Sequence, residues 1–101
     1  MNAPDDATPV AALVRVRGHV QGVYFRDGCE RHARLLGVTG WVRNRSGGSV
    51  EAMLQGLPRQ IADLCDWLRD GVPAAQVDDV RVTPVESSLS RFHDFRRRPT
   101  A

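Results

Sequence analysis

The feature that most constrains this chain is a change of hydrophobic period, from two to about 3.6 and back, made twice within 101 residues. Ala12-Leu13-Val14-Arg15-Val16 places Ala12, Val14 and Val16 on one face and Arg15, with Arg17, on the other. That is the pattern of a half-buried strand, which Gly18 is expected to end. Phe25, Cys29, Ala33 and Leu36 then recur at spacings of four, four and three, an amphipathic helix stopped by Gly37. Strand signals return at residues 39–44 and 49–54, and Arg45-Ser46-Gly47-Gly48 between them is a turn-forming cluster that makes a hairpin. Pro58 opens a second helix whose stripe is Ile61, Leu64, Cys65 and Leu68, ending at Asp70-Gly71 before Pro73. A strand over 77–85, with Val80 and Val82 alternating against Arg81 and Thr83, is limited by Pro84, and a weaker one lies near 92–96.

The order strand, helix, strand, strand, helix, strand predicts an α+β domain of ferredoxin-like, split βαβ plan, with an antiparallel sheet and both helices on one face. The crossover makes the first two strands parallel, so the loops that follow them, residues 18–26 and 44–48, become neighbours at one sheet edge. At this length there is room for one domain, expected over 10–98, between a flexible tail at 1–9 and a short tail at 99–101. The first nine residues hold two prolines, two acids and no apolar run, which reads as neither signal peptide nor membrane span. Cys29 and Cys65 show no metal-ligand spacing and are too few for a disulfide framework, and with the unexported start they predict a cytoplasmic protein of reduced, buried thiols. The net charge of +2, with every basic residue an arginine, is too small to argue for nucleic acid, and Arg96-Arg97-Arg98 reads as a solvated run.

The stretch Gly18-His-Val-Gln-Gly-Val-Tyr-Phe-Arg26 runs from a strand end into a helix start, where free N–H groups and the helix dipole favour an anion. Its glycines let the backbone bend into a concave set of amides, and Arg26 adds a planar fork suited to phosphate. On residue types alone, a tight strand-to-helix turn with a surface arginine is the commoner reading.

Two motifs together are more specific. Gly18-x-Val20-Gln21-Gly22-Val23-x-Phe25-Arg26 resembles one signature of the acylphosphatase family. Gly40-Trp41-Val42-Arg43-Asn44, with Gly48, Val50 and Gly56 following, resembles the family's other signature. The resemblance extends over residues 11–85 and implies the same ferredoxin-like architecture. It implies that the backbone of Gly18, His19, Val20, Gln21, Gly22 and Val23 binds phosphate with Arg26, and that Asn44 orients the attacking water. It implies hydrolysis of small acyl phosphates without metal or other cofactor; inorganic phosphate is expected as product and inhibitor, and the chain is expected to be a monomer with no nucleic-acid or membrane partner. The chain departs from the family at its end, where Arg96 to Ala101 replace a strand closing on an aromatic residue.

The chemistry tolerates so sparse an inventory. A carboxylate leaving group needs no acid to protonate it, and a loose phosphoryl-transfer transition state needs mainly positioning and charge stabilisation. His19 occupies a position the motif leaves free, and its side chain reads as solvent-facing; His32 and His93 are isolated. Trp41 reads as packing, and Tyr24 as lining the loop mouth or facing solvent. Two alternatives keep the fold without the turnover: an anion-sensing domain and an RNA-binding module. The second would need exposed aromatics on the central strands, where Arg15, Arg17, Glu51, Met53 and Gln55 face outward instead.

Overall fold

The computed structural model describes residues 7–86 and 91–101, so most of the expected N-terminal tail lies outside the described residues. Seven elements follow in order: β1 (Val10–His19), α1 (Phe25–Leu36), β2 (Thr39–Asn44), β3 (Val50–Gly56), α2 (Pro58–Asp70), β4 (Gln76–Val85) and β5 (Phe95–Arg98). The strands form one sheet in the order β4-β1-β3-β2-β5. β1 and β2 are both antiparallel to β3 between them, and so run in the same direction, which sends the loops after both to one end of the sheet.

Three expectations need correction. The sheet is mixed, because β5 pairs parallel with β2, Gly40 opposite Phe95 and Arg43 opposite Arg98. A four-residue strand with three consecutive arginines has no period-two pattern to announce its direction or its partner. Gly18 does not end β1: the strand continues through an irregularity between Arg17 and Gly18, pairing Gly18 with Val77 and His19 with Gln76. Gly18 has φ 132°, and a Cβ there would run into the Gln76 carbonyl, so glycine serves the close approach of β4. Residues 99–101 lead back to the sheet rather than trailing away: the Ala101 N–H donates to the Asn44 carbonyl at 3.0 Å, and the Ser46 N–H to the Ala101 carbonyl at 2.9 Å. Pro84 is accommodated within β4, opposite Ala12, because β4 is an edge strand.

The core lies between the helices and one face of the sheet. Val14 and Val16 of β1, Val42 of β2 and Val50, Ala52 and Leu54 of β3 meet Phe25, Cys29 and Ala33 of α1 and Ile61, Leu64, Cys65 and Leu68 of α2. Burial of each large aliphatic or aromatic side chain contributes about 1.5–3 kcal/mol. Phe95 joins this core at 1% exposure and anchors β5. On the helix-free face Glu51 is buried, held by Arg15 and Arg43, each at 2.8 Å, and by Arg45 at 3.7 Å. No helix among the described residues is long and apolar enough to cross a membrane.

Candidate active site

The two loops at the common sheet end are fastened to each other by one side chain. Gln21 Nε2 donates to the Arg45 carbonyl at 2.8 Å and to the Ser49 carbonyl at 2.9 Å, clamping the β1–α1 loop onto both ends of the hairpin turn. Beside this clamp opens a hollow of about 370 Å³ lined by Val20, Gly22, Tyr24, Phe25, Arg26, Asp27, Asn44 and Arg97.

Within the loop the backbone alternates. Gly22 has φ 75° and Tyr24 φ 61°, while Val23 between them has negative φ. Alternation of this kind turns successive N–H groups toward a common centre and makes an anion-binding concavity. Tyr24 is the only described non-glycine residue with positive φ, and it stands at the N-cap of α1 with no side-chain cap. A left-handed tyrosine costs local stability and persists where its surroundings demand it. The first backbone bond of the helix runs from the Gly28 N–H to the Tyr24 carbonyl at 3.0 Å, which leaves the N–H groups of residues 22–27 without a described backbone acceptor.

Arg26 and Asn44 reach the hollow from opposite loops. Arg26 lies in the first turn of α1, partly buried, and among the described residues no carboxylate stands within ion-pair distance of its guanidinium. Asn44 is the last residue of β2, and its Oδ1 is buried with no hydrogen-bond partner among the described residues. A buried amide oxygen left unpaired costs about 1–3 kcal/mol and marks a place where a donor is expected.

The remaining expected site residues divide. Val20 and Gly22 line the hollow; Val23 is half-buried and packs against the core. Gly18 and His19 belong to β1, and Gly18 borders a separate hollow with Arg15, Arg17 and Arg45. Gln21 turns its side chain to the hairpin. Tyr24, read from the sequence as lining the loop mouth or facing solvent, lines the hollow and is exposed, while Phe25, Asp27 and Arg97 join the lining without having been assigned to the phosphate site from the sequence. Asp27, adjacent to Arg26, pairs with Arg31 at 3.6 Å. Arg97 arrives from β5, whose pairing with β2 no local signal discloses. Both cysteines are buried thiols in the core: burial pushes the Cys29 thiol far up, with Cys65 and Glu30 adding, and burial raises Cys65 as well. Among the described residues no three of His, Cys, Asp or Glu gather into a group able to hold a metal ion.

Comparison with known proteins adds to this geometry. The acylphosphatase family model matches residues 12–97. Acylphosphatase 1 of Ralstonia nicotianae is 55% identical over 98 residues, spanning 97% of this chain and 96% of that protein. The acylphosphatase of Polaromonas naphthalenivorans is 50% identical over 99 residues, 98% of each chain. Among solved structures, an acylphosphatase from Coxiella burnetii superposes with a TM-score of 0.83 at 38% identity, covering 89% of this chain and 93% of that one. The Bacillus subtilis acylphosphatase gives 0.82 at 32% identity, covering 87% and 97%.

Proposed function

The chain belongs to the acylphosphatase family, and from that premise we propose that it hydrolyses the carboxyl–phosphate bond of acyl phosphates to a carboxylate and inorganic phosphate at the hollow between the β1–α1 loop and Asn44. The observation that carries the mechanism is the buried Oδ1 of Asn44, without a hydrogen-bond partner among the described residues, on a residue that lines the same hollow as Arg26. An acceptor held in that state suits a water molecule, which would donate one O–H to Oδ1 and direct its lone pair at phosphorus. The amides of the loop and the Arg26 guanidinium would hold the phosphoryl oxygens and stabilise their charge as the bond to the leaving oxygen lengthens. The departing carboxylate is a weak base and needs no acid; a phosphoryl oxygen of the substrate can take the water's proton, since the one carboxylate in the lining, Asp27, is paired with Arg31.

The proposal includes a metal-independent reaction in a cytoplasmic monomer, in keeping with the absence of a metal-donor group among the described residues and with two buried cysteine thiols. The test is phosphate release from acetyl phosphate by purified protein with excess chelator. Steady turnover, competitively inhibited by inorganic phosphate, is the expected result. Phosphate binding without turnover would make the chain an anion-binding module, and turnover lost to chelator and restored by magnesium would overturn the metal-free mechanism. Phosphate monoesters should react poorly, because their alkoxide leaving group is a far stronger base than a carboxylate and departs readily only when an acid protonates it.

A further inference from the structure

Arg97 stands two residues beyond Phe95, on the side of β5 that Phe95 turns to the core. In the parallel register Gly40 lies opposite Phe95 and Val42 opposite Arg97. Val42 is fully buried and Phe95 is 1% exposed, so the side of β5 that bears Phe95 and Arg97 turns toward the core and α1. At its end of the strand this side meets the hollow, and Arg97 lines it together with Arg26 and Asn44. The same two arginines, without Asn44, begin a broad trough that continues along Glu30, Arg34, Asp94 and Arg96. Arg97 pairs with Glu30 at 3.6 Å, but Glu30 also faces Arg34 at 3.7 Å, and Asp94 is shared by Arg34 and Arg96. The trough is thus lined by five arginines, counting Arg26 and Arg98, against two carboxylates, which pair only with Arg34, Arg96 and Arg97, and it keeps an excess of positive charge.

Displacement in line at phosphorus puts the leaving oxygen opposite the attacking water. With the water at Asn44, the acyl group would leave on the far side of phosphorus and could extend past Arg26 along this trough, the charged surface that opens beside the hollow. We infer that Arg97 is a specificity-determining residue, and that the trough it opens is a subsite for acyl groups carrying a second anionic group such as a distal carboxylate. The inference rests on the acyl phosphate reading above and goes beyond it to the substrate's other end.

The experiment compares acetyl phosphate with succinyl phosphate, whose acyl chain ends in a carboxylate, on the wild-type protein, Arg97→Gln and Arg97→Lys. Wild type should prefer succinyl phosphate. Arg97→Gln should lower kcat/KM for succinyl phosphate on the order of tenfold, the scale of one charge-assisted hydrogen bond, mainly through KM. Its effect on acetyl phosphate should be several times smaller, and lysine should restore most of the preference. Since Arg97 is half-exposed, the wild-type preference should also shrink as salt rises from about 0.05 to about 0.5 M, a measurement that needs no variant. Equal losses on both substrates, no loss on either, or a salt-independent preference would overturn the inference. Failure of the wild type on both substrates would instead overturn the hydrolase reading itself.

Discussion

Asn44 and Arg26 line one hollow, and the proposed reaction gives them different tasks. Asn44 offers a buried acceptor with no partner among the described residues, which suits a water, able to donate, rather than a phosphate oxygen, itself an acceptor. Asn44→Ala should therefore lower kcat by on the order of 10² to 10³ while inorganic phosphate still binds, as for loss of one preorganised hydrogen-bonding group. Asn44→Asp keeps the shape but sets a negative charge beside a phosphoryl dianion, so both rate and phosphate affinity should fall. Calorimetric phosphate binding beside turnover checks both, and an Asp variant equal to wild type would make Asn44 merely a strand-end residue. Arg26 has no carboxylate partner among the described residues, so its charge is available to substrate. Arg26→Ala should lose affinity and rate together, roughly 10³ to 10⁵ in kcat by comparison with other phosphate-clamping arginines. Lysine should rescue poorly, since one ammonium cannot reproduce a planar fork. Wild-type phosphate affinity and turnover in Arg26→Ala would remove it from the site.

At the scale of elements, the site exists because two loops are held in fixed relation. The parallel course of β1 and β2 brings them to one end of the sheet, and Gln21 then bonds the first loop to Arg45 and Ser49 of the second. Two such hydrogen bonds contribute about 1–3 kcal/mol together. Their greater consequence is positional, since the two segments they join carry the groups to which the proposed reaction assigns phosphate binding and water positioning. Gln21→Ala should lower kcat by at least about tenfold with a folded core, as expected where reacting groups lose alignment, whereas Gln21→Glu loses the donor and should not rescue. The check is turnover set against thermal unfolding; a Gln21→Ala protein with altered stability and unaltered kcat would leave the clamp structural only. The backbone of Ala101, bonded to Asn44 and Ser46, braces the same hairpin from its other edge.

For the whole molecule, the face away from the helices carries a second organising centre. Burial by itself would raise the carboxyl of Glu51, but hydrogen bonds from Arg15 and Arg43 and the charges of Arg43 and Arg45 outweigh it, and its pKa lies below the ordinary value. A carboxyl depressed on folding contributes stability that is present above its unfolded pKa, about 4.3, and lost as pH falls through the folded value. Glu51→Gln should therefore destabilise the protein by about 2–4 kcal/mol at neutral pH, leaving three arginines facing one another around a buried amide. The difference should shrink in denaturation measured below about pH 4; a gap independent of pH would deny Glu51 its charged role. From the sequence this residue reads only as an outward-facing strand position, because alternation assigns a face and says nothing of what neighbouring strands lay across it. The same limit runs through the molecule. Helix limits, the hairpin and the apolar faces were legible because each depends on residues a few positions apart: the stripe from Phe25 to Leu36, the Gly47-Gly48 turn, Pro58 and Gly37 at helix ends. The two motifs likewise identified Arg26 and Asn44 as the residues to examine, since their spacing is local. What required the tertiary structure was everything decided between distant segments: the parallel seat of β5, the close approach of β4 that explains Gly18, the clamp from Gln21, and Arg97 at the mouth of the hollow. Such pairings are chosen by the packing of a whole core, in which each edge strand takes the place left to it, and no short stretch of sequence records that choice.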